Sequence, residues 1–254
     1  MDNFLTVFFT TTAYLAIFIT FLSVFYKIND FFSKAPGLDI AIFSFSALPW
    51  LIAFNYNSWI GVLQSIVAQL FTLYMFNLIH ERVLNSKHAG GAKLYNTLNQ
   101  IVGFTRNHLA LLICLLALPI FLSIRLGQIF IYPLLRWTLR FPKYQASDWI
   151  NVSRYKFEGL VGHDMVWCLY CDWMTGLHAL TGEMLRNVES FWCPIRFYDG
   201  KKCDNCTLDF PDLNTWVSSD AKVEDVRDLL LDKYPPDSKK DRTWFGFKSS
   251  TNND

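Results

Sequence analysis

Charge is what this chain has least of. Asp, Glu, Lys and Arg make up 18% of its 254 residues, against about 25% in soluble domains. The balance is even as well, 23 basic against 22 acidic side chains for a net of +1. Nucleic-acid binders carry a basic excess, so no nucleic-acid partner is expected. Short motifs are missing too: there is no G-x-S-x-G, no P-loop, no G-x-G-x-x-G and no H-E-x-x-H, so the familiar hydrolase, nucleotide and zinc-protease chemistries have no signature here. Five histidines are too few for a histidine-rich membrane di-iron oxygenase. The N-terminus has neither a basic n-region nor a small-residue cleavage pattern, which favours an uncleaved anchor over a signal peptide.

What is abundant is apolar and aromatic. The chain is 52% hydrophobic, with 23 Phe, 11 Tyr and 9 Trp, which excludes a disordered polymer. The neutral total hides three regions: residues 1–108 carry six basic and four acidic side chains (+2), 109–144 four basic and none acidic (+4), and 145–254 thirteen basic and eighteen acidic (−5). The pattern predicts a membrane half, a basic collar and an acidic, water-facing domain. The expected divisions are 1–108 for three membrane helices and a basic loop, and 109–144 for a fourth apolar segment with its collar. A cysteine-rich domain over 145–236 and a flexible tail over 237–254 complete them.

The fold class expected is mainly α: three membrane spans, a bent or re-entrant fourth segment, then a small α-rich cysteine-containing domain. Residues 4–26 form an apolar run long enough to cross about 30 Å of hydrocarbon. The runs 40–54 and 59–79 are separated only by Asn55-Tyr56-Asn57-Ser58, so they should form an antiparallel hairpin. Gly61, Ser65, Ala68 and Thr72 share one helix face, the small-residue pattern of closely packed membrane helices. Gln64, Gln69 and Asn77 are read as hydrogen-bonding between helices in preference to lining a transport path. The fourth run, from Leu109, is broken by Pro119 and followed by Arg125. A lipid-facing arginine costs about 2.5–3.5 kcal/mol on insertion scales, so the stretch should either span with Arg125 snorkelling or bend as a re-entrant or interfacial segment. The second is preferred. Arg136, Trp137, Arg140 and Lys143 form an aromatic-basic interface anchor. Lysines and arginines in the loops 27–36 and 80–108 place those loops, and with a re-entrant fourth segment the cysteine-rich domain, on the cytoplasmic side.

Five of six cysteines fall in the tail: Cys168 and Cys171, Cys193, and Cys203 and Cys206. Two C-x2-C pairs suit a tetrahedral zinc site, and with Cys193 an iron–sulfur cluster. Disulfides and inert buried thiols are the competing readings. Cys168 and Cys171 lie in an expected helix from about His163 to Phe191, on a stripe continued by Asp172, Thr175, His178, Gly182 and Glu189. On that stripe Asp172 and His178 are the candidate catalytic residues of a redox or metal centre acting on a lipid or quinone. His163-Asp164 is read as a helix cap by Asp164. His80, Glu81, His88 and His108 should gather at one membrane face as solvated interface residues. The sequons at Asn151 and Asn205 carry meaning only in a secreted domain. An acidic amphipathic helix over 221–234, with Val223, Val226 and Leu230 as its apolar stripe, is the expected site for a protein partner.

Overall fold

The computed structural model describes residues 2–25, 30–85, 93–157, 160–198 and 211–246. Cys203, Cys206, His88 and the Asn205 sequon lie outside them. Among the described residues the chain is helical, with two isolated bridges and no strand. The helices are α1 (Asp2–Phe25), α2 (Gly37–Phe45), α3 (Ala47–Asn85), α4 (Leu94–Val102), α5 (Phe104–Leu115), α6 (Leu118–Leu139), α7 (Ala146–Trp149), α8 (Gly162–Trp192) and α9 (Val223–Lys233). Three stretches are long and apolar enough to cross a membrane: Phe4–Ser23, Gly37–Val83 and Phe104–Leu139. The chain divides into two compact units, Met1–Leu122 with Ala146–Leu177, and Ser123–Gln145 with His178–Asp254.

In the first unit, α3 is two arms rather than one rod. Asn57 and Ser58 leave the helical region, Ser58 with φ of 49°, and the chain reverses there as the short polar turn predicts. The arms then lie side by side. The Trp50 indole N–H donates to Gln69 Oε1 at 2.7 Å, and Phe54 meets Trp59 edge-on. Gln69 Nε2 donates to the carbonyls of Phe45 and Ser46 at 2.7 and 2.9 Å. Those carbonyls sit at the junction between α2 and α3, where a helix leaves acceptors unused. In lipid no water replaces them, so a glutamine amide is a fitting partner.

The small-residue face packs inward as expected. Ser65, Ala68 and Thr72 are buried, with Gln64 and Gln69 beside them, and α1 packs against α3. At Gly61 a Cβ would collide with the Ala53 carbonyl, so glycine sets how closely the arms approach.

The α5–α6 run breaks at Leu116–Ala117, two residues before Pro119, where the N–H groups of Leu116 and Ala117 bond three residues back instead of four. The helix is therefore interrupted next to Pro119. Arg125, however, does not snorkel. It is 9% exposed and its guanidinium donates to Gln128 Oε1 at 2.7 Å, while Gln128 Nε2 donates to Thr181 at 2.7 Å. One polar stripe of α6 is turned onto α8, and the rest of its surface is apolar and exposed.

In the second unit, residues 237–246 are not a free tail. The Arg242 N–H donates to the Arg140 carbonyl and its side chain to the Leu139 carbonyl. These two bonds tie the segment to the end of α6 and leave Trp244 7% exposed. The helix α9 forms close to its expected limits, with the Asp225 carboxylate accepting the Lys222 N–H at 2.9 Å. Its apolar stripe is shorter than expected, since Val223 is 78% exposed and only Val226, Leu229 and Leu230 turn inward.

The hairpin gives a direct test. Gly61→Ala should destabilise the protein by about 1–3 kcal/mol, the usual cost of overpacking, seen as a lower melting temperature in detergent. Gly127→Ala, where an added Cβ would meet only Ile131 Cδ1 at 4.0 Å, an ordinary contact, should not lower it.

Candidate functional site

The helix α8 carries nearly every residue singled out for chemistry. Its buried side is Trp173, Leu177, Leu180, Glu183, Asn187 and Ser190, spaced three and four apart as one helix face requires. The expected ligand stripe lies largely on the opposite side. Cys171, Thr175 and His178 are exposed and Cys168 is half-buried. Asp172 and His178, six residues apart, are turned roughly 120° from each other at about 3.6 residues per turn. Asp172 accepts the Ser153 and Arg154 N–H groups at 2.9 and 3.4 Å and faces the Arg154 guanidinium at 3.6 Å. Its carboxylate is committed to holding the chain that precedes α8.

The cysteines do not form a centre among the described residues, where no group of three or more His, Cys, Asp or Glu side chains converges on a metal position. Cys114, Cys168, Cys171 and Cys193 are free thiols. Cys168 and Cys171 belong to the first unit and Cys193 to the second. Burial pushes the Cys168 thiol up from its ordinary value. The described cysteines by themselves supply no group of three ligands, and Cys203 and Cys206 lie outside the described residues.

The titratable groups that do converge sit where α3 ends and α4, α5 and α8 begin, all in the first unit. His80 Nδ1 accepts the Gly162 N–H, the first of α8, at 3.0 Å. Gly162 has φ of +53°, and a Cβ there would meet the Glu81 side chain and the Asn77 carbonyl. Glu81 pairs with Lys93 at 2.7 Å, and that hydrogen bond holds the lysine above its ordinary value. Asp164 does act as a cap, but of another helix. Its two carboxylate oxygens accept the Leu94 and Tyr95 N–H groups, at 2.8 and 2.9 Å, at the start of α4. Lys93 in the N-cap position has no side-chain acceptor to offer, so the carboxylate arrives from 69 and 70 residues away.

His163 completes this cluster. Its Nε2 accepts the Trp167 indole N–H at 3.0 Å, and its ring lies 5.7 Å from that of His108 and 5.4 Å from that of Tyr95. An accepting nitrogen carries no proton, so the hydrogen bond requires neutral His163. Burial also pushes its pKa down, with the Asp164 and Glu81 carboxylates opposing and His108 reinforcing the shift. The expectation that His80, Glu81 and His108 share one face is met. They are hydrogen-bonded and partly buried, however, and not simply solvated.

A second polar cluster, in the second unit, has no counterpart among the expected site residues. Glu183 is 5% exposed. It accepts the Trp244 indole N–H at 2.6 Å, pairs with Arg186 at 2.7 Å and faces the Tyr144 hydroxyl at 3.4 Å. Asn187 donates to the Tyr144 oxygen and accepts the Trp244 backbone N–H at 3.0 Å. Burial pushes the Tyr144 phenol above its ordinary range. Extending the spacing of Trp173, Leu177 and Leu180 forward leads to Glu183 and Asn187, so a signal was present. It runs against the rule that a buried helix face is apolar, and their partners Tyr144 and Trp244 are distant in sequence.

Compared with known proteins, the chain matches no family model, no curated protein and no solved structure.

Two outcomes follow from this geometry. Because His163 is held below its unfolded value of 6.5, the folded state binds fewer protons than the unfolded one. Stability is therefore full above about pH 6.5 and falls as pH drops through that value toward the folded pKa. Melting curves from pH 8 to 5 should show the fall, and His163→Gln, whose amide oxygen takes the indole N–H without titrating, should reduce it. In the second unit, Trp244→Phe removes the indole donor from Glu183 and should lower stability by about 1.5–3 kcal/mol, the scale for a hydrogen bond to a charged group. Chemical denaturation in detergent reads that loss.

Proposed function

We propose that the protein is a membrane-anchored scaffold that presents a helical platform to a protein partner, and not an enzyme built around Asp172 and His178. One observation carries this reading: the polar side chains with catalytic character are committed to holding backbone. Asp164 caps α4, His80 caps α8, and Asp172 holds residues 153 and 154. A general acid or base needs a free edge within reach of a substrate proton. Asp164, His80 and Asp172 already accept backbone N–H groups, and His178, though exposed, is turned away from Asp172 on the helix. Glu183 is likewise surrounded by its own partners. The three long apolar stretches supply the anchor.

The partner surface on this reading is α9. Glu224, Asp225, Asp228 and Asp232 are exposed beside Val223 and Leu231, which gives apolar contact area within an acidic field. Such a surface favours a basic, amphipathic partner segment. Its side is read as cytoplasmic. Support comes from the backbone of Ala35 and Ser33, in the lysine-bearing loop between α1 and α2. That backbone bonds to Ile150 and Val152, so part of the tail sits at the end of the bundle carrying the basic loops.

Photo-crosslinking in native membranes tests the proposal. Probes at Val223 and Leu231 should give one discrete cross-linked species, lost in Glu224→Lys/Asp228→Lys while the protein stays in the membrane. No cross-link at either position would overturn the scaffold reading. So would stoichiometric iron with absorption near about 400 nm in anaerobically purified full-length protein, which would mark a cluster.

A further inference from the structure

The stretch Phe104–Leu139 is apolar and long enough to span, and the contacts of its first part, residues 104–122, bear on whether that part crosses. The level of each element relative to the membrane helices follows from hydrogen bonds within the first unit. Gln69 on the second arm of α3 bonds to the Phe45 carbonyl at the end of α2, and the two run antiparallel. Eight residues back from Phe45 is Gly37, and eight forward from Gln69 is Asn77. Residues 33–37 and 77–81 therefore lie at about the same depth, at one end of the bundle.

Both ends of the first half of α8 meet that level. At its start, Gly162 lies against Asn77, His80 and Glu81. Fourteen residues on, Gly176 lies against Trp149 and Ile150, and the Ile150 carbonyl accepts the Ala35 N–H at 3.0 Å. Fourteen residues of helix rise about 21 Å. Were α8 parallel to the membrane helices, it would climb most of the roughly 30 Å hydrocarbon core over that distance. Instead both points sit at one depth, so α8 runs across the end of the bundle.

The helix α5 and the start of α6 follow α8 in the same direction. His108 meets His163, the Tyr170 hydroxyl donates to the Cys114 carbonyl at 3.2 Å, and Phe121 meets Trp173. Partners advance together along both stretches, so residues 104–122 share the orientation of the first half of α8.

From these contacts we propose that α5 and the start of α6, residues 104–122, do not cross the bilayer but lie in its surface, between the acyl chains and the first half of α8. His108, Cys114 and Phe121 meet α8, while Leu109, Leu112, Leu116 and Ile120 are exposed. There is no acidic side chain from 104 to 139, and Arg106 is exposed at the start of the stretch. An apolar face beside a cation, with no acidic side chain, suits the headgroup–acyl boundary of an anionic phospholipid leaflet. The inference rests on the membrane assignment of α1 and the α3 hairpin, not on the scaffold reading.

The test is a depth profile of the full chain in anionic phospholipid vesicles. An environment-sensitive fluorescent amino acid is placed singly at Leu112, Leu116 and Ile120, and at Ile17 of α1 as calibrator, then quenched by lipids carrying nitroxides at known depths. All four positions are exposed, so the substitutions leave packing intact. The three α5–α6 probes should report one shallow depth, about 5–10 Å below the headgroups, and Ile17 a deeper one. A depth that increases steadily from 112 to 120 toward the bilayer centre would overturn the proposal. A shallow Ile17 would overturn the membrane assignment together with it.

Discussion

Backbone N–H groups at the start of a helix have no partner within it, and where such an end is buried another group of the chain must supply one. Much of the first unit is arranged around that constraint. Asp164 reaches from α8 to close the start of α4, His80 reaches from α3 to close the start of α8, and Asp172 holds the segment leading into it. Each cap also joins elements distant in sequence, so satisfying the helix ends fixes the tertiary arrangement. The His163 ring, wedged between Tyr95, His108 and Trp167, fills the space these caps enclose.

Polar groups inside this protein are therefore structural in the first instance. Gln69 closes a helix junction, Arg125 and Gln128 tie α6 to α8, and Glu183 with Asn187 receives the C-terminal segment through Trp244. The arrangement inverts that of a water-soluble domain, with apolar side chains facing outward on α6 and hydrogen bonds within. Such an inversion suits an apolar surrounding, because an unpaired polar group there costs more than an exposed apolar one.

Much of the helical framework was legible from residues alone. The reversal at Asn57–Ser58, the inward small-residue face and the limits of α8 follow from turn chemistry and hydrophobic spacing, which are local properties. The site was less legible. Asp172 and His178 share a broad stripe on a helical projection, but periodicity does not say which stripe a neighbour covers, and the cover came from residues 146–154. Asp164 is a cap, but its sequence position does not say of which helix. A carboxylate three residues into α8 resembles a local cap in sequence, and the open helix start it serves is about 70 residues away. Glu183 and Asn187 lie on a buried helix face, where hydrophobic spacing leads one to expect apolar side chains.

Composition and spacing by themselves determined a mainly helical chain with three stretches long and apolar enough to cross a membrane, a charge-poor front, a basic collar and an acidic tail, because hydrophobic length and charge distribution are properties of the chain. Tertiary structure alone decided what the polar side chains are for. A carboxylate or an imidazole has the same chemistry as a cap and as a catalyst. The difference lies in whether a backbone N–H from a distant helix already occupies its free edge.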